Sequence, residues 1–171
     1  EAGIHGLNHD GKLFKDRHTF QERAVKINNY IREWGVTGFR APAMHHNLEW
    51  IGELNIKYDL STFDSDPFQP QPDGVGTIFP FWVNGNNGRP GYVEIPYTLD
   101  KDFTLFILMK EDSPAIWIKK LDWIVENCGM ALVNVHPDYI NFDNLSKLEE
   151  FPIKYYEDFL KYVKNKYEGH Y

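Results

Sequence analysis

Apolar and polar positions along the chain predict helices that alternate with short strands. The clearest helix begins at Thr19, because Thr19 and Glu22 have the spacing of a capping box, and it ends at Gly35. Its apolar residues recur at helical spacing and comprise Phe20, Ala24, Ile27, Ile31 and Trp34. Three further helices are predicted to start near Asn47, Ala115 and Pro152. The alternation is typical of an α/β fold.

Short apolar segments between the helices predict strands at residues 36–39, 56–60, 92–95 and 130–135. The last of these is the strongest signal for a buried strand. Strands that alternate with helices pair in parallel, and polar residues that follow such strands meet at one edge of the sheet. This rule selects three places for a functional site: the segment of His5, the loop of Arg40 and the loop of His136.

Residues 61–91 break the alternation, because they are rich in the proline, glycine, aspartate and asparagine of turns. A segment of this length without regular structure is unusual inside one domain unless it forms an active-site loop or an excursion over the surface. The sequence has no internal repeat and no clear linker, so residues 1–171 are expected to form a single domain.

The 171 residues include 18 Lys and Arg against 25 Asp and Glu, a formal net charge of -7. This balance offers no basic surface to a phosphate backbone, so nucleic acid is not expected as a partner. No apolar stretch approaches the roughly 18 residues of a membrane-spanning helix. The single cysteine, Cys128, cannot form an internal disulfide, so the fold must be stable without one.

Aromatic residues make up 16% of the chain, and this excess has two interpretations. Large rings fill hydrophobic cores, whereas rings at a surface stack on sugars. Composition alone does not separate the two. The candidates for substrate contact are Trp82, Tyr92 and Tyr139.

His5 and His9 are four residues apart, so one helical turn would bring both imidazoles to one metal ion. The alternative is a pair of unrelated surface histidines. His136 follows a predicted buried strand, where a parallel sheet presents a general acid, although a loop histidine bonded to a backbone carbonyl fits equally well. Arg40 could hold a carboxylate for chemistry or form a structural ion pair.

Three motifs in this order resemble those of the polysaccharide deacetylases, the NodB-homology group of carbohydrate esterase family four. They are His5-Gly6-x-x-His9, Gly38-Phe39-Arg40-Ala41-Pro42 and Leu132-x-x-x-His136-Pro137. Residues 61–67 are also similar to a segment of members that act on surface polysaccharides. The resemblance covers nearly the whole chain.

The resemblance implies a distorted parallel (β/α) barrel and a metal-dependent hydrolase that removes acetyl groups from an N-acetylated polysaccharide or amino sugar. It makes His5 and His9 the ligands of a divalent metal, with zinc expected. It makes Arg40 the residue that orients the catalytic carboxylate and His136 the acid that protonates the leaving amine. Asp64 and Asp66 are expected to help position His136.

The family's first motif is an aspartate pair, one member a metal ligand and the other the general base, and it precedes the histidine pair. It is not present in this sequence. We expect it upstream of Glu1, with activity dependent on it and the barrel incomplete at its N-terminus. The family also often has an aromatic residue and a glycine where Ala43 and Met44 follow Pro42. The alternative function is a non-catalytic carbohydrate-binding or scaffold relative that keeps the fold and lacks the base.

Overall fold

The computed structural model describes residues 1–69, 71–86, 88–143 and 148–167, and it shows a mixed α/β protein. The chain divides into two compact units, Glu1–Tyr97 and Thr98–Tyr171, which are described in turn. Within the described ranges, none of the helices combines the length and the apolar character that crossing a membrane requires.

The first unit begins with the main predicted helix, α1, which spans Arg17–Trp34. The helix starts two residues before Thr19, the predicted cap. The cap is Asp16 instead, whose carboxylate accepts a hydrogen bond from the Thr19 N–H at 2.8 Å. The helix ends at Gly35, whose φ of 64° is left-handed, as predicted. The buried face is also as predicted except for Trp34, which is exposed.

A four-stranded sheet follows, formed by β1 (Gly38–Phe39), β2 (Tyr58–Asp59), β3 (Phe81–Val83) and β4 (Tyr92–Glu94). The short helix α2 (Leu48–Ile51) lies between β1 and β2, and its predicted Asn47 cap is confirmed by a bond from the Trp50 N–H. The strand order is β1-β2-β4-β3, with β1, β2 and β4 parallel and β3 antiparallel to β4. Ile4 adds a parallel bridge to Phe39.

The hydrophobic core of this unit lies between α1 and the sheet. Its fully buried members include Phe20 and Ile27 from α1, Phe39 from β1 and Ile51 from α2. Burial of each such side chain stabilises the fold by roughly 1.5–3 kcal/mol relative to exposure. This packing holds the strands in register and so fixes the position of the residues that follow them.

The second unit contains a π-helix at Phe103–Leu108, α3 (Ala115–Glu126), β5 (Ile140–Asn141), β6 (Phe151–Pro152) and α4 (Ile153–Lys166). Strands β5 and β6 pair in parallel. An aromatic cluster forms the core, and the Phe106 ring lies at its centre, 4.5 Å from the Phe151 ring and 5.0 Å from the Trp117 ring. Helices α3 and α4 confirm the predicted helices at residues 115–127 and after Pro152. After α3, Cys128 rather than Gly129 adopts the left-handed conformation.

The prediction of a buried strand at 130–135 is wrong. This segment makes a single parallel bridge, Leu99 to Val133, and of its residues only Asn134 is buried. The Thr98 hydroxyl donates to the Met130 carbonyl and accepts from the Leu132 N–H. These two backbone groups therefore bond to a side chain and not to the backbone of a neighbouring strand. An apolar run predicts burial, but it does not predict that a distant side chain will bond to the backbone groups that a strand needs.

The described strands form an open sheet of four strands and a separate sheet of two strands. The distorted barrel that the family resemblance implies therefore stays a prediction. What the structure does provide is parallel pairing in each unit, and it is this pairing that brings polar strand ends together.

Candidate functional site

The histidine segment lies beside β1. The Ile4 N–H donates to the Gly38 carbonyl and the Arg40 N–H donates to the Ile4 carbonyl, both at 2.9 Å. Gly6 follows with a φ of 68°, and a Cβ built on it would lie 2.5 Å from Cγ of Pro42. Only glycine permits both that backbone and that close approach. The glycine of the first motif and the proline of the second are therefore packed against each other.

His5 is fixed in one tautomer by the loop beside it. Its Nδ1 lies 3.0 Å from the Arg40 carbonyl oxygen. A carbonyl oxygen only accepts hydrogen bonds, so this contact requires the proton on Nδ1 and puts the lone pair of the ring on Nε2. Nε2 is therefore the atom with which His5 would bind a metal.

His9 lies at a distance from His5 that suits a shared metal. The two ring centroids are 5.4 Å apart. Two imidazoles on one tetrahedral zinc, with zinc–nitrogen distances of about 2.1 Å, have centroids about 5.2 Å apart. Both side chains are exposed. The donor chemistry and the separation thus fit two of the ligands that zinc needs.

A complete metal site needs at least a third protein ligand. Among the residues that the structure describes, no group of three or more His, Cys, Asp and Glu side chains is placed to hold a metal ion. Asp10, which follows His9 directly, instead binds the Arg23 guanidinium through both carboxylate oxygens at 2.7 Å.

The Arg40 side chain contacts the residue that follows β2. Its Nε donates to the Leu60 carbonyl at 3.2 Å. Burial lowers the pKa of the Arg40 guanidinium, while the charges of Asp59, Tyr97 and Glu94 act in the opposite direction. The following residues Ala43 and Met44 have φ values of 57° and 56°, a costly conformation for residues other than glycine. Met44 occupies the position where the polysaccharide deacetylases, which the motifs resemble, often have glycine.

A pair of buried carboxyl groups lies beneath this loop. Asp59 at the end of β2 and Glu94 at the end of β4 are partners in the parallel register, and both are fully buried. Burial and the adjacent Glu94 carboxyl raise the pKa of Asp59 well above its usual range, against hydrogen bonds from Ser61 that lower it. The folded chain therefore favours the protonated form of the Asp59 carboxyl.

The second unit has its own polar centre at His136. Nδ1 of His136 lies 2.7 Å from Oδ1 of Asp102, and the His136 N–H donates to Oδ2 at 2.6 Å. Asp102 is fully buried, whereas the His136 side chain is 39% exposed. The carboxylate fixes the Nδ1–H tautomer, so Nε2 is the atom that can exchange a proton with a substrate.

Parallel pairing explains how these two residues meet. Leu99 forms a parallel bridge with Val133, and Asp102 and His136 each lie three positions after one of these bridge residues. The sequence analysis did not identify Asp102, nor the Asp59–Glu94 pair. Asp59 and Glu94 lie inside predicted strands, and Asp102 follows Asp100 and Lys101, so no pattern in the sequence set these three apart.

Asp64 and Asp66, which were expected to help position His136, hold the long loop of the first unit. The Asp66 carboxylate accepts from the Tyr97 hydroxyl at 2.6 Å and from the Phe68 N–H at 2.9 Å. Asp64 bonds through its backbone to Tyr97 and Gly76. The carboxylate contact to His136 that the structure describes comes from Asp102, and the expected role of Asp64 and Asp66 stays a prediction.

The three aromatic candidates have different environments. Tyr92 is a core residue and not a sugar platform, because it is 1% exposed and its hydroxyl donates to the Leu48 carbonyl. Trp82 is 59% exposed, but β3 lies four strand positions, about 19 Å, from the segment of Ile4. The Tyr139 ring lies 5.4 Å from the His136 ring, edge-on, and its contact with substrate stays a prediction.

Comparisons of this chain with protein-family models, with curated proteins and with solved structures gave no match.

Proposed function

We propose that the chain is the metal-dependent deacetylase domain that its motifs resemble, acting on an N-acetylated polysaccharide or amino sugar. The observation that supports this most is the His136–Asp102 pair. A buried carboxylate on Nδ1 with a partly exposed ring is the arrangement of a general acid or base. Such a group is what the departing amine of an amide needs.

Each side chain has a defined role in the proposal. His136 protonates the leaving amine from Nε2, and Asp102 keeps the ring oriented and compensates the charge of its protonated form. His5 and His9 hold the divalent metal, zinc being expected, through imidazole nitrogens. When bound, such a metal polarises an amide carbonyl and acidifies water. Arg40 orients the carboxylate of the general base, which is expected from the upstream motif.

A second candidate function is a carbohydrate-binding or scaffold protein that keeps the fold without catalysis. It is favoured by the absence, among the described side chains, of a third metal ligand beside the two histidines. The exposed ring of Trp82 would then serve in sugar binding.

Acetate release from an N-acetylglucosamine oligomer distinguishes the two functions. We expect little release by residues 1–171 alone and metal-dependent release by the chain with its natural upstream sequence. His136→Gln in the longer chain is the matched control, because it leaves both metal ligands in place. Sugar binding without acetate release in both chains would reject the deacetylase and favour the scaffold.

A further inference from the structure

A continuous chain of hydrogen bonds leads from the buried carboxyl pair to His5. The Ser61 hydroxyl donates to Oδ1 of Asp59 at 2.6 Å. The same Ser61 oxygen accepts from the Ala41 N–H at 2.8 Å. The peptide group that contains this N–H also contains the Arg40 carbonyl, which accepts from Nδ1 of His5 at 3.0 Å.

The chemistry of the groups allows only one direction for these bonds. The Ala41 N–H can only donate, so the Ser61 oxygen accepts there and directs its own hydrogen to Asp59. The Arg40 carbonyl can only accept, so His5 must donate from Nδ1. Asp59, Ser61 and Ala41 are all buried, so water does not compete for these positions.

We infer that Ser61 is a positioning residue for His5: it links the Asp59–Glu94 pair to the Arg40–Ala41 peptide and so maintains the Nδ1–H tautomer that leaves Nε2 to bind metal. This inference rests on the proposed function for the role of His5 as a ligand. Hydrogen bonds in such a chain polarise one another, so a peptide held at its N–H has a carbonyl that accepts more strongly. Groups that bond directly to a metal-binding histidine alter metal affinity by about 10- to 100-fold when they are removed. Ser61 acts one peptide group further out, so the lower end of this range is expected.

Thr62 provides a matched control within the same cluster. Its hydroxyl donates to Oε1 of Glu94 at 2.5 Å, and its N–H donates to the same oxygen at 3.0 Å. Thr62 is fully buried, as Ser61 is, and each binds one member of the carboxyl pair. Only Ser61 also binds the Ala41 N–H. Ser61→Ala and Thr62→Val therefore each delete one buried hydroxyl, and only the first breaks the link to His5.

The test is a measurement of the His5 tautomer by ¹⁵N-¹H NMR on the metal-free chain at about pH 8.5, where imidazoles are neutral. The His5 signals are assigned by their loss in His5→Gln. We expect the Nδ1–H form in the wild-type chain and in Thr62→Val, and a substantial Nε2–H population in Ser61→Ala. In the upstream-extended chain, zinc affinity, measured by competition with a chelator, should fall by up to about tenfold in Ser61→Ala and stay unchanged in Thr62→Val.

Two results would overturn the inference. One is an Nε2–H tautomer of His5 in the wild-type chain, a measurement that does not depend on the folding of any variant. The other is an equal response of Ser61→Ala and Thr62→Val, in either direction. If Ser61→Ala does not fold, Ser61→Cys replaces it, since a thiol is a weak donor and acceptor of nearly the same size and should give the same loss.

The tautomer and zinc measurements together distinguish a failure of this inference from a failure of the proposed function. Zinc binding that is absent from the wild-type chain and from its upstream-extended form, together with the expected tautomers, would reject the metal role of His5. The link through Ser61 would stand in that case.

Discussion

Each of the two units holds an imidazole shortly after a residue in a parallel bridge, and the groups that hold the two rings differ in charge. His136 faces the buried Asp102 carboxylate directly at 2.7 Å, whereas His5 faces the neutral Arg40 carbonyl at 3.0 Å. A carboxylate compensates a positively charged ring and so supports proton transfer. A carbonyl fixes the tautomer without adding charge, which suits a metal ligand, because a metal competes with protons for the ring.

The buried carboxylates of the two units show the same difference. Asp102 touches its histidine, while Asp59 acts through Ser61 and a peptide group. In addition, Asp59 shares its site with Glu94, which favours retention of a proton. The two histidines thus have the same tautomer but partners of different charge.

Replacement of His136 is expected to have the greatest effect on activity. In the chain with its upstream sequence, His136→Gln should lower the rate of acetate release by about 10²- to 10⁴-fold, because the amine then leaves without a positioned acid. Zinc content, measured by atomic emission, should be unchanged. His5→Gln should lower both together, so loss of zinc in His136→Gln would show that the assigned roles are wrong.

The next variant changes only the charge beside His136. Asp102→Asn should lower the rate by at least about 10²-fold, because an amide can present an N–H to Nδ1 and reverse the tautomer. The His136 tautomer is measured by ¹⁵N-¹H NMR, with the His5 tautomer in the same spectrum as the internal control. A variant with normal turnover would contradict the positioning role of Asp102.

The carboxyl pair of the first unit predicts an unusual pH dependence of stability. The pKa of Asp59 is raised in the folded state, so the native chain holds a proton that the unfolded chain releases. Stability should therefore fall as pH rises from about 4 through the folded-state pKa, by at most about 1.4 kcal/mol per pH unit. Urea unfolding of Asp59→Asn at several pH values should lack this decline, because Asn has no proton to lose.

Asp16 is a suitable control for that series, since its shift has the opposite sign. Hydrogen bonds from Thr19 lower the pKa of this helix cap. Its contribution is present above the unfolded-state pKa and is lost as pH falls. Asp16→Asn should therefore flatten the acid side of the profile and leave the decline at higher pH intact. Equal profiles for Asp59→Asn and the wild-type chain would show that the carboxyl pair does not retain its proton.

The smallest expected effect concerns the exposed ring of Trp82. Because β3 lies at the far edge of the sheet from the histidine segment, Trp82→Ala should weaken binding of long N-acetylated oligomers a few-fold, by about 1 kcal/mol or less. It should leave binding of a single N-acetylated sugar unchanged. Calorimetric titration with both ligands measures this, and an equal loss for the two would place Trp82 beside the reacting sugar instead.

Local sequence patterns predicted the elements whose signals are local. The 3.6-residue period of α1, the glycine that ends it and the Asn47 cap all depend on residues within one or two helical turns, and all are found. The apolar run at 130–135 failed for the converse reason. The conformation of this segment depends on bonds to the Thr98 hydroxyl, which is more than 30 residues away in sequence.

Sequence patterns pointed to the residues that could carry chemistry: His5 and His9, Arg40 after its strand and His136 before its proline. The groups that position these side chains became visible only in the folded chain. Parallel pairing brought Asp102 to His136 and placed Asp59 beside Glu94, and Ser61 met the Ala41 N–H across the edge of the sheet. These contacts join residues 20 to 35 positions apart, and a sequence pattern does not specify a register over such a separation, because register is set by the packing of the whole sheet.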